Sequence, residues 1–165
     1  MRNHGGRRGN AIIEFTLVAI PLIFIQISIV EICRGMWDYH SLAQAVKGAC
    51  RAAATRGAGC AGTGCAMTVG QIAATISGYA VGMPASALNV TLTSNAGSVT
   101  CNPLSMCTGS GTVWPPAGGN TAGSDIVISA SYNFTSMLMM FAPGTNGMQF
   151  SGVTFNAKSR QILLY

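Results

Sequence analysis

The chain has 165 residues, of which 49% are apolar and only 8% charged, and its formal charge is +5. A charged fraction so far below the roughly 25% of ordinary soluble domains argues against a free cytosolic protein. Three of the nine basic residues, Arg2, Arg7 and Arg8, precede an apolar run. Beyond residue 9 six basic residues face four acidic ones, with no cluster of Lys and Arg among aromatics to bind nucleic acid.

From Ala11 to Ile32 the polar residues are Glu14, Thr16, Gln26, Ser28 and Glu31 alone. As a helix this run is about 33 Å long, enough to cross a hydrocarbon core of roughly 30 Å. Arg2, Arg7 and Arg8 ahead of it hold the amino end in the cytoplasm and send the carboxyl end outside. The run exceeds the apolar core of a cleaved secretory signal, and Val30-Glu31-Ile32 at its exit offers no small-x-small cleavage site. The expected result is a retained, single-pass anchor carrying an exported head.

Glu14 is costly in such a helix, so it is a functional candidate by default. A cut after Gly9 makes Asn10 the new amino terminus and places Glu14 one turn along the helix. The ammonium of one subunit then neutralises the Glu14 carboxylate of its neighbour, and the carboxylate favours its own helix amino end. An expensive residue becomes a register device, with Phe15 beside it.

A stripe spaced alternately by three and four runs through Phe15, Val18, Leu22, Ile25, Ile29, Ile32, Met36, Tyr39, Ala43, Val46, Cys50 and Ala53. Arg34, Asp38, Gln44, Lys47 and Arg51 fall off it, so one face is selected beyond the membrane. That face packs either on the protein's own head or on neighbouring helices. The helix is expected to continue to about Thr55, where Gly57 and a glycine-rich stretch end it. Pro21 removes one backbone donor inside it.

In the head, Val69, Ile72, Ala73, Ile76 and Ala80 predict a second helix over about 68–80. Leu88, Val90 and Leu92 alternate with polar residues as a strand, and Ser94 to Gly97 reads as a turn. Residues 97–124, rich in Gly, Ser, Thr and Pro, read as a long loop pinned by a disulfide. Ile126 to Phe134 is the clearest strand; Met137 to Phe141 reads as an apolar turn or short helix, and Val153 to Lys158 as a final strand. The fold class expected is α+β, a long amino-terminal transmembrane helix continuing into a small antiparallel-sheet head.

Cys60 and Cys65, and Cys101 and Cys107, are spaced to close locally, although four cysteines permit three connectivities. Cys33 and Cys50 lie about 25 Å apart on one helix and cannot bond each other; Cys50 is a candidate partner for a loop cysteine. A four-cysteine zinc site is the rival reading, disfavoured outside the cell where thiols oxidise. Between Arg56 and Asp125 there is no Asp, Glu, Lys, Arg or His. General acid-base catalysis, metal hydrolysis and phosphate handling need convergent groups of those kinds, so neither an enzyme nor a cofactor is expected.

The ordered set of Gly9, Glu14-Phe15, Pro21, Glu31 and the alanine-rich tail ending Arg51-Ala52-Ala53-Ala54 resembles the TadE-like family, pilin-like components of the tight-adherence (Flp-type) pilus machinery. The resemblance covers residues 8 to 54. It implies a pilin-like layout with a cleaved leader at 1–9, a transmembrane helix at 10–33, a helical extension at 34–56 and an exported head at 57–165. It also implies processing by prepilin peptidase, and as partners the lipid bilayer, other pilin-like subunits and pilus assembly proteins. The place implied is the bacterial inner membrane, with the head in the periplasm or carried into an extracellular pilus. Flp pilins themselves carry tyrosine after the glutamate and are much shorter, which favours a minor component; TadE and TadF types are not separable here. The alternative is a signal-anchored exported binding module whose uncharged Ser/Thr/Asn/Gly surface contacts sugars or another envelope protein.

Overall fold

A computed structural model describes residues 7–56, 65–136 and 152–164, with side chains from Ala11 onward. The first helix, α1, is Arg7–Ala54, 48 residues that run unbroken through Pro21. In its apolar part the hydroxyls bond back one turn, Thr16 Oγ1 to the Ile12 carbonyl and Ser28 Oγ to that of Phe24, each at 2.8 Å. Neither hydroxyl is left bare, the condition for placing it in hydrocarbon. Arg51 lies in the last turn, where a cation suits the exposed carbonyl ends.

The contacts divide the chain between Gly35 and Met36. One unit holds the apolar part of α1. The other begins at Met36, runs to Thr135 and takes in the final strand; α1 from Met36 onward is its spine.

In this head unit α2, Val69–Tyr79, starts with a capping box that the apolar spacing alone does not reveal. Gln71 N donates to Thr68 Oγ1 and Thr68 N to Gln71 Oε1, both at 3.2 Å, satisfying two amide groups that a helix start leaves bare. The next amides are met by the segment after the disulfide: Val69 N donates to Thr112 O at 2.8 Å and Gly70 N to Ser110 O at 3.0 Å. Glycine is needed at position 70 because a Cβ there would stand 2.7 Å from the Ser110 carbonyl oxygen.

Four antiparallel strands follow: β1 Leu88–Ser94, β2 Gly97–Cys101, β3 Asp125–Phe134 and β4 Val153–Ile162, in the order β2-β1-β3-β4. The period-two pattern has its expected effect. Leu88, Val90 and Leu92 face inward beside Ile126, Ile128 and Ala130, while the other face carries rows such as Thr91-Ser129-Lys158 and Asn89-Ser131-Asn156. The long N-terminal helix followed by a small antiparallel sheet is the α+β, pilin-like layout expected from the sequence.

Three local expectations are corrected. Residues 97–124 are not all loop: Gly97–Cys101 is strand β2, and Leu104 and Trp114 are fully buried in the core. The two-residue turn at 95–96 zips β2 onto β1, with Ser94 paired to Gly97 and Val90 to Cys101. The expected stripe on α1 also holds only in part: Val46, Cys50 and Ala53 are buried, but its earlier members are not. Leu42, Ala45, Val46, Ala49, Cys50 and Ala53 are inside and so is Asp38, whereas Met36 and Tyr39 are exposed. The buried apolar residues of α1 begin only at Leu42, so the earlier members of the stripe have no apolar core to enter. Third, Cys50 pairs with no loop cysteine. It is a free thiol at zero exposure beneath the sheet, its Sγ directed at the Ser159 carbonyl 3.6 Å away. The expected apolar turn at 137–141 lies outside the described residues.

Candidate assembly site

Glu14 and Phe15 sit on the apolar part of α1, in the unit that ends at Gly35, and both are exposed; Phe15 is 74% accessible. Ile12, Ile13, Leu17 and Val18 around them are exposed as well, so the described part of the chain leaves this helix surface open on every side. Gly9 and Asn10 are helical in backbone, inside α1 and not ahead of it. Residues 10 and 14 are therefore four apart on one helix and share a face, one turn above the other.

A second charged pair was missed in the sequence. Arg34 Nη1 lies 3.2 Å from Glu31 Oε1, and Glu31 is buried. The i,i+3 spacing was the available signal, because such residues are neighbours on a helix surface. The pair neutralises the two charges near the carboxyl end of the apolar run.

In the head, Cys101 and Cys107 form a disulfide with their Cα atoms 5.7 Å apart, and Cys65 is also disulfide-bonded. Cys60 lies outside the described residues. The bridge removes Cys101 and Cys107 from any thiolate site, and among the described residues no three His, Cys, Asp or Glu side chains gather to hold a metal. Burial pushes the Cys50 thiol up in pKa, away from the reactive thiolate. Replacing Cys101 and Cys107 by serine is expected to cost about 2 kcal/mol from loop-closure entropy alone, seen as a lower unfolding midpoint in denaturant.

A groove of about 600 Å³ is lined by Arg51, Ala54, Thr55, Asp125, Arg160 and Leu164 among others. Arg160 Nε donates to Asp125 Oδ1 at 3.1 Å, and this arginine holds the Asp125 carboxyl below its ordinary pKa. No second carboxylate, imidazole or thiol joins them in the lining. Because the folded-state pKa is depressed, the pair's contribution is present above the ordinary carboxylate pKa and is lost as pH falls through the lowered one. Asp125→Asn should therefore flatten the acid limb of a stability-versus-pH curve and change little near neutral pH, where so exposed a pair adds little.

An apolar helix long enough to cross a bilayer, running on into an antiparallel α+β head, defines a single-pass membrane protein of pilin-like layout. Residues 9–58 match the family model of TadE-like proteins, so the segment from Gly9 through the end of α1 is TadE-like. The family is one of pilus-associated structural components. No curated protein and no solved structure is significantly similar to the chain.

Proposed function

We propose that the chain is a minor pilin-like component of a Flp-type tight-adherence pilus or a related type IV-like assembly system. Prepilin peptidase removes residues 1–9, the amino end of α1 stays on the cytoplasmic side of the bacterial inner membrane, and the head lies in the periplasm or on the filament. The observation that carries this reading is the coincidence of the family match with α1, whose surface around Glu14 is open.

The chemistry supports it. Four helical residues rise about 6 Å, so a neighbour displaced by that amount brings its Asn10 ammonium level with Glu14. Opposite charges then meet in a medium of low dielectric, where pairing is strong and an unpaired carboxylate is expensive. A photo-activated cross-linker at Val18, in cells that make the pilus, should trap other pilin-like subunits, and the adducts should vanish with Glu14→Ala. Adducts that persist unchanged in that variant would count against the role given to Glu14.

The second reading, an exported binding module, is favoured by one observation. The outer sheet face around Asn89, Thr91, Ser129, Ser131 and Asn156 is polar and lies open. It requires neither cleavage after Gly9 nor Glu14, and the same cross-linking experiment separates the two.

A further inference from the structure

At one end of the head large apolar side chains of α1 are exposed. Trp37 is 63% accessible, with Met36 and Tyr39 open beside it. The Tyr39 ring meets Phe155 edge-on at 5.9 Å, and Phe155 lies 5.5 Å from Phe134. Phe134 pairs across the sheet with Val153, itself 56% accessible. From another direction, the end of α2 reaches the same level: a Cβ on Gly82 would stand 3.7 Å from Asp38 Oδ1, and the adjacent Val81 is 60% accessible. At the opposite end of the head, Leu164 N donates to the Ala54 carbonyl at 3.2 Å. β4 thus runs alongside α1 in the same direction, and Trp37, Tyr39, Val81 and Val153 form a collar at its starting end.

We propose that this collar rests in the outer interface of the lipid bilayer. Three observations select lipid as the occupant. Met36 follows the apolar run ending at Ile32 by only four residues in the chain, so Trp37 and Tyr39 come within two turns of the last residue the membrane covers. Its exposed members include Trp and Tyr, the residues whose amphipathic rings concentrate at membrane–water boundaries. Charge beside it is paired or buried: Arg34, one turn before Trp37, is paired with the buried Glu31, Asp38 is buried, residues 79–83 and 152–157 carry no charged side chain, and Lys47 and Arg51 lie on later turns of α1. A soluble head with no partner there would leave this patch against water. The proposal rests on Ala11–Ile32 spanning the bilayer, and adds that the head is seated on the membrane and not held clear of it.

The test uses the full chain with Cys33→Ser, carrying Val81→Cys, Val153→Cys or Leu164→Cys labelled with an environment-sensitive dye; Leu164 is an equally apolar, 63% accessible control at the far end. The proteins are reconstituted in vesicles of phosphatidylethanolamine and phosphatidylglycerol. Flotation with the vesicles reports the anchor alone. Dyes at 81 and 153 should be quenched several-fold more by spin-labelled lipid, and several-fold less by aqueous iodide, than the dye at 164. Trp37 supplies a readout in the unsubstituted chain, since Trp114 is only 1% accessible: lipid-borne quenchers should remove its emission. Flotation with equal iodide access at all three positions would overturn the seating while leaving the anchor intact. Shielding of 81 and 153 from both iodide and lipid quenchers would also overturn it, because a protein neighbour would then be the cover.

Discussion

Glu14→Ala is expected to remove the chain from its assembly while leaving the head folded. The residue lies on an open apolar helix surface, and among the described residues it makes no hydrogen bond or ion pair of its own. On the proposed arrangement the partner is the ammonium of a neighbour's Asn10. Deleting one member of an ion pair in a low-dielectric site costs about 3 kcal/mol, because the other charge is stranded; that is roughly 100-fold in the association constant. Glu14→Gln should fail almost as badly, since the amide keeps the shape and loses the charge. The measurement is the recovery of the protein with other pilin-like subunits after membrane solubilisation, beside its unfolding midpoint in detergent. Loss of recovery with an unchanged midpoint is the expected pair of results.

The largest effect on the head itself is expected from Leu42→Ala. Leu42 has zero exposure and belongs to the one core cluster that joins α1, α2 and the sheet. Removing its side chain should cost about 3 kcal/mol, transfer and cavity terms together, out of the 5–15 kcal/mol that hold a typical domain. Relaxation offers little relief, because Ala45, Ala49 and Ala53 on the same face are also at zero exposure and already bring the helix backbone close to its neighbours. Gln44→Ala, two residues along on the exposed side, should change stability by no more than about 0.5 kcal/mol. Denaturant unfolding of the full chain in detergent compares the two.

The parts of this fold that were legible in the sequence are those with a long, uninterrupted period. α1 announces itself by its apolar run, and β1, β3 and β4 by alternation of apolar with Ser, Thr and Asn. β2 was not legible because Gly97-Ser98-Val99-Thr100-Cys101 offers only Val99 and Cys101 to an inward face, inside a stretch dominated by turn formers. Its existence depends on β1 being there to pair with. Trp114 is buried for a comparable reason: its backbone amide donates to the Met67 carbonyl at 2.9 Å, a contact between distant residues that no local pattern encodes. The capping box at Thr68 and Gln71 is legible in the sequence as Thr-x-x-Gln ahead of an apolar run.

At the candidate site the same division holds. Gly9, Asn10, Glu14 and Phe15 stand close together in the chain, so their relation on a helix follows from spacing. The fate of Cys50 does not follow from spacing. Whether it meets a cysteine or the Ser159 carbonyl is decided by how β4 lies over α1, a separation of more than a hundred residues. The break in the stripe at Met36 and Tyr39 is the case with most consequence, since the spacing gives both residues the face of Val46, Cys50 and Ala53, yet they lie exposed, Tyr39 within the collar and Met36 beside it.

The most direct measurement of the central claim is the amino-terminal sequence of the protein recovered from membranes of cells that make the pilus. Processing as a pilin-like subunit predicts a chain beginning at Asn10, with Glu14 as its fifth residue. A chain beginning at Met1, or at any residue beyond Ile32, would contradict it.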